Sequence, residues 1–93
     1  MIEVVHRPER GHFEILLDGE AIGFTSYRDQ DDRRVFLHTE VDSAYEGKGY
    51  GRRLAAAALD STRAVGMKVM PRCPFIAAFI KRNRQYADLV TTD

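Results

Sequence analysis

Phe13-Glu14-Ile15-Leu16-Leu17 is an apolar run of strand length, and Asp18-Gly19 separates it from a second run, Glu20-Ala21-Ile22-Gly23-Phe24-Thr25-Ser26-Tyr27. Two such runs joined by an Asp-Gly pair predict an antiparallel hairpin, since a tight two-residue turn needs residues that tolerate positive φ. The polar stretch Asp29-Gln30-Asp31-Asp32 predicts a second turn, and residues 34–41 a third strand. Simple alternation places Val35, Leu37, Thr39 and Val41 on one face of that strand, with Phe36, His38 and Glu40 on the other.

After Val41 the period of the pattern changes. Leu54, Ala55, Ala58, Leu59, Thr62 and Val65 recur three and four residues apart, which predicts a helix from about Tyr50 to Val65, ended by Gly66. Met67-Lys68-Val69-Met70 reads as a short strand stopped by Pro71. Pro74 opens a second helix with Phe75, Ile76, Phe79 and Ile80 as its apolar stripe. Tyr86, Leu89 and Val90 are expected to pack the tail back onto the domain. The fold class is therefore α+β: a mixed, mostly antiparallel sheet with two main helices.

Size and composition narrow the picture. The 93 residues suit a single domain over positions 1–93, small enough that a second copy could extend its core in a homo-oligomer. Cys73 is the only cysteine, so no intramolecular disulfide forms. The N-terminal residues Met1–Arg7 lack an apolar leader core, and no stretch is long enough to span a bilayer; the expected location is cytoplasmic, with no membrane partner.

Charge is balanced overall, with 14 basic and 14 acidic residues, but the two halves differ. Residues 1–44 hold 5 basic and 10 acidic side chains, and residues 45–93 hold 9 basic and 4 acidic, so the second half carries the positive charge. A bound anion there is favoured, whereas the even total and scattered basic residues argue against a nucleic-acid partner.

The positive half also contains Glu46-Gly47-Lys48-Gly49-Tyr50-Gly51, directly before the first helix. Three alternate glycines let the chain turn tightly with no Cβ between backbone and ligand. The first helical N–H groups have no internal acceptor, and the helix dipole adds positive potential at the same point. This is a phosphate-cradling arrangement, with Lys48, Arg52 and Arg53 available to add charge. It is neither a Walker A loop, lacking the Gly-Lys-Ser/Thr, nor a dinucleotide fingerprint, since the preceding strand lies in a meander. The structural alternative is that the glycines only make a sharp strand-to-helix turn.

The stretch from Val41 to Leu54 resembles the acyl-CoA-binding signature of GCN5-related N-acetyltransferases, whose core reads Arg/Gln-x-x-Gly-x-Gly/Ala. Gly49 and Gly51 occupy its two glycine places, and Gly47 matches a common extra glycine. With His38-Thr39-Glu40-Val41 and Pro71-Arg72-Cys73-Pro74-Phe75, nearly the whole chain is similar to compact acetyltransferases that are little more than the cofactor-binding core. The resemblance implies acetyl-CoA as acetyl donor and transfer to an amine, on a small molecule or on a protein or peptide. Val41 would pair with the pantetheine arm, and Gly47, Lys48, Gly49, Tyr50, Gly51 and Arg52 would hold the pyrophosphate through their N–H groups. Asn83 and Arg84 would stand near the phosphate arm or adenine. Two features depart from the family. Glu46 stands where Arg or Gln is usual, and the helices that longer members place between their first strands are absent.

For catalysis, Glu40 is the first candidate to accept the amine's proton, and His38 lies two residues away on the same face. Cys73, beside Arg72 at the predicted start of the second helix, offers a transient acetyl-cysteine instead. For Glu40 and His38 the structural alternatives are hydrogen bonding on the sheet face or exposure to solvent, and for Cys73 packing in the core. The resemblance also implies a tyrosine in the second helix, which larger relatives often use to protonate the leaving thiolate, but the region from Phe75 to Arg84 holds none. Binding of acyl-CoA without transfer, or a small interaction domain, are the competing functional readings.

Overall fold

The computed structural model describes residues 1–91 of the chain, and over these it holds five strands in the order of the sequence. They are β1 (Ile2–Arg7), β2 (His12–Leu17), β3 (Glu20–Gln30), β4 (Arg33–Val41) and β5 (Lys68–Pro71). β1 to β4 form an antiparallel meander, and β5 lies parallel to β4. A parallel neighbour requires a crossover, which is helix α1 (Tyr50–Ala64). Helix α2 (Pro74–Arg82) follows β5, and a 3-10 segment, Arg84–Leu89, closes the chain against the domain. The α+β class and the mixed sheet agree with the sequence pattern.

The hairpin forms where Asp-Gly predicts it, with Asp18 at φ 50° and Gly19 at φ 85°. The second turn is tighter than the acidic run suggests: β3 continues to Gln30 and only Asp31 and Asp32 remain outside the strands. β1, unread as a strand in the sequence, pairs along its whole length with β2, from Ile2 opposite Leu17 to Arg7 opposite His12.

One core joins the sheet to both helices. Phe13, Ile15, Ile22 and Phe36 from the strands meet Leu54, Ala55, Ala58 and Leu59 of α1 and Ile76, Phe79 and Ile80 of α2. Val65, expected on the buried face of α1, instead lies past the helix end and is exposed, because Gly66 turns the chain away. Tyr86 and Leu89 are buried as expected, and Val90 bridges to Val69, so the tail packs on β5.

Simple alternation fails in β4. Ser26 pairs with His38 and Tyr27 with Phe36, which leaves Leu37 as an extra residue, a bulge. The bulge shifts the phase by one residue: Phe36 is fully buried against the helices, Leu37 is 42% exposed, and Thr39 joins the helix side next to Cys73. The face assignments of Phe36 and Leu37 made from alternation are therefore reversed, while His38 and Glu40 remain together on the outer face.

Candidate active site

The bulge sits where the sheet comes apart. β4 and β5 pair only from Arg33–Lys68 to Phe36–Pro71. Proline has no N–H to continue the ladder, and one further bond, from the Cys73 amide to the Phe36 carbonyl at 2.9 Å, ends it before α2 begins. From Leu37 to Val41, β4 remains bonded to β3 on one side, and on the other no described strand covers it. Such an edge presents a row of N–H and C=O groups to any extended partner.

A groove of about 460 Å³ runs beside this edge. Thr39 and Val41 form its β4 wall, Tyr45, Glu46, Gly47 and Gly49 its loop wall, and Tyr50, Gly51 and Arg52 the start of α1. Phe75 and Arg82 close it from α2. A second cavity of about 240 Å³ adjoins it, lined by Arg52, Phe75, Ala78, Phe79, Arg82 and Asn83.

The loop enters α1 through left-handed backbone: Gly47 has φ 79° and Gly49, the residue before the helix, φ 85°. No described side chain caps the helix, and the first internal bond is from Arg53 to the Gly49 carbonyl at 3.2 Å. The amides of Tyr50, Gly51 and Arg52 thus lack a helical acceptor and are free to bind an anion. The Arg52 guanidinium folds back over the loop, its Nη2 lying 3.3 Å from where a Cβ on Gly49 would sit. At Gly51 the ring of Phe75 takes the space a side chain would need.

Six of the expected cofactor-binding residues line this one groove: Val41, Gly47, Gly49, Tyr50, Gly51 and Arg52. The Lys48 side chain is exposed and does not line it. Asn83 lies in the adjoining cavity, where its Nδ2 donates to the Phe79 carbonyl at 2.8 Å. Thr39, Phe75 and Arg82 are site residues that the sequence reading missed. Phe75 sits at the edge of the apolar stripe, so periodicity assigned it to the core, yet it is 40% exposed.

His38 and Glu40 stand on the outer face of β4, their side chains 2.9 Å apart and both open to solvent. Thr39, between them, faces the groove. The sheet is one layer thick and splayed here, so the same short segment borders the groove on one face and presents this pair on the other. The Phe24 ring lies 6.0 Å from that of His38, and His12 flanks Phe24 at 5.6 Å.

Cys73 is 2% exposed and precedes α2, with its Sγ 3.3 Å from the Thr39 hydroxyl. That hydroxyl also meets the buried Thr25 hydroxyl at 2.8 Å, so the sulfur lies behind the Thr39 wall. The Tyr86 hydroxyl donates to Asp60 at 2.8 Å, and burial first, then that bond, pushes its pKa up to about 12.

A meander whose last strand splays from a parallel fifth strand, with a glycine loop opening the helix between them, defines a GCN5-like acetyltransferase fold. The solution structure of a GCN5-like protein from Staphylococcus aureus matches with a TM-score of 0.74 and 22% identity, covering 98% of this chain and 89% of that one. N-acetylglutamate synthase from Neisseria gonorrhoeae, solved with coenzyme A and N-acetyl-glutamate, matches with a TM-score of 0.59 and 20% identity over 73% of this chain. That match spans only 19% of the synthase chain. Residues 12–89 match the family model described as GCN5-related N-acetyl-transferase, and the chain belongs to that family. Protein NATD1 of Gallus gallus is 36% identical over 86 residues, which cover 88% of this chain and 76% of NATD1. No helix among the described residues is long and apolar enough to cross a membrane.

Proposed function

We propose that the domain is an acetyl-CoA-dependent N-acetyltransferase. The observation that carries this reading is the uncovered edge of β4 leading to a glycine loop whose helical amides lack acceptors. An amide-bearing arm fits the edge at Thr39–Val41, and a pyrophosphate fits the amides from Gly47 to Arg52. Family membership supports the choice of donor. When bound, acetyl-CoA supplies a thioester carbonyl: the acceptor nitrogen bonds to that carbon, the C–S bond breaks, and the sulfur leaves with the electron pair.

The chain's own part is to hold the donor and to take a proton from the amine. His38 and Glu40 form the proton-accepting pair in this reading, the imidazole receiving the proton and the adjacent carboxylate stabilising the charge it gains. The outer face of β4 is where an acceptor would approach, since no described helix covers that side of His38 and Glu40. Burial of Cys73 behind Thr39 favours direct transfer over an acetyl-cysteine intermediate.

Incubating the protein with acetyl-CoA and a panel of amines and lysine-containing peptides tests the proposal, with mass spectrometry for acetylated product and a thiol reagent for released CoA. Acetylated amine with matching thiol release is expected. Tight donor binding with neither product would overturn the transferase reading in favour of an acyl-CoA-binding module.

A further inference from the structure

β1 is an outer strand of the sheet, and no described strand pairs with its free side. Its register with β2 decides which groups lie there. The Asp18 amide donates to the Met1 carbonyl at 3.0 Å, and the alternation of an antiparallel ladder then turns the backbone groups of Glu3, Val5 and Arg7 toward β2. Those of Ile2, Val4 and His6 point away from the sheet, where no described strand receives them.

Edges of this kind are commonly blunted by a proline, a bulge or charge that repels a second strand. β1 contains no proline, and its pairing with β2 runs without a register shift. Its carboxylate and its guanidinium stand near opposite ends, Glu3 and Arg7, with half-buried Val5 between them. All three share the outer face, since they lie opposite Leu16, Glu14 and His12. Glu3 is exposed and forms no ion pair with a described residue. Arg7 engages Glu14 through Nε at 3.2 Å, which leaves its two Nη atoms without a described partner. Charges of opposite sign placed symmetrically about Val5 make the strand complementary to itself.

We propose that this edge is the interface of a homodimer, in which the β1 strands of two copies pair antiparallel about a two-fold axis at Val5. Val4 and His6 of each copy exchange backbone bonds with His6 and Val4 of the other, Val5 meets Val5, and Glu3 faces Arg7 on both sides of the axis. Centring the axis on Val4 would keep the bonding phase but set Glu3 against Val5, so the charges select the first register. The groove lies beside β4, with β2 and β3 in between, and the dimer therefore stands independently of the donor reading.

Sedimentation equilibrium from micromolar to millimolar protein tests the proposal, with thermal melts to show that each variant is folded. Joining two edge strands makes a small interface of the weak class, so the wild type should pass from monomer to dimer within that range. Val4→Pro removes an outward N–H and no bond to β2, and Glu3→Arg sets like charges face to face; each should weaken dimerisation by about tenfold or more. Rising salt should weaken the wild-type dimer and narrow its difference from Glu3→Arg. If Val4→Pro loses the fold, Glu3→Arg at its exposed position decides the question. Isotope-filtered NMR on mixed labelled and unlabelled wild-type chains should find contacts between the Val5 residues of two copies. A wild type that stays monomeric throughout, a dimer that Glu3→Arg leaves unchanged, or contacts between copies centred away from Val5 would overturn the assignment.

Discussion

The Gly51 backbone lies so close to the Phe75 ring that a Cβ built on it would stand 2.9 Å from Phe75 Cζ. A ring tip can swing away, so the contact restricts the groove more than it restricts the fold. Gly51→Ala should therefore leave thermal stability unchanged or slightly raised, because alanine is favoured over glycine in a helix by about 1 kcal/mol. The displaced ring would narrow the groove and weaken acetyl-CoA binding by about tenfold. Paired thermal melts and calorimetric titrations check this, and a loss of stability without a loss of affinity would contradict it.

The His38–Glu40 pair is placed away from the donor groove, so its removal should separate chemistry from donor binding. Glu40→Gln and His38→Asn are expected to lower kcat by about 10²-fold while leaving the acetyl-CoA dissociation constant unchanged. Steady-state kinetics beside calorimetric titration with acetyl-CoA would show it.

Thr25, Thr39 and Cys73 form a hydrogen-bonded row behind the groove wall. Thr39→Val would leave the buried Thr25 hydroxyl without its side-chain partner and cost about 1–2 kcal/mol, measured by denaturant unfolding. Cys73→Ala should cost about 1 kcal/mol through lost packing and retain turnover. Mass spectrometry of the wild type after mixing with acetyl-CoA should find no acetyl group on Cys73.

Glu14 is nearly buried on the outer face, with His12, Arg7 and Arg10 at 3.0, 3.2 and 3.3 Å. The hydrogen bond from His12, aided by Arg7, holds its carboxyl below the usual range despite burial pushing the other way. A carboxyl whose pKa is lower in the folded state stabilises the fold above its unfolded value of about 4.3, and this stabilisation fades as pH falls through the folded value. Melting temperatures from pH 7 to 3 should fall more steeply for wild type than for Glu14→Gln. Parallel curves would contradict the role given to Glu14.

Much of this architecture was legible because each element has a local cause. The Asp18-Gly19 hairpin, the period of α1 and the stop at Gly66 follow from turn chemistry and helical spacing. β1 escaped notice because Ile2, Val4 and Val5 are interrupted by charge and acquire meaning only by pairing with β2. The bulge at Leu37 has no local signature, since it reflects how β4 must pair with β3 while parting from β5, and it reversed the faces of Phe36 and Leu37. In the site, the glycines were readable because a loop opening a helix is local. Thr39, Phe75 and Arg82 were not, because they come to the groove from separate elements.

A coenzyme A donor seated along β4 and on the loop before α1 would perturb the amides that hold it. Titration of isotopically labelled protein with acetyl-CoA, followed by amide NMR, reads this residue by residue. The largest shifts are expected at Gly47, Gly49, Gly51 and Arg52, with further shifts at Thr39 and Val41 and little change in β1 and β2. Loop amides that stay in place at saturating acetyl-CoA, or shifts centred on β1 and β2, would contradict it.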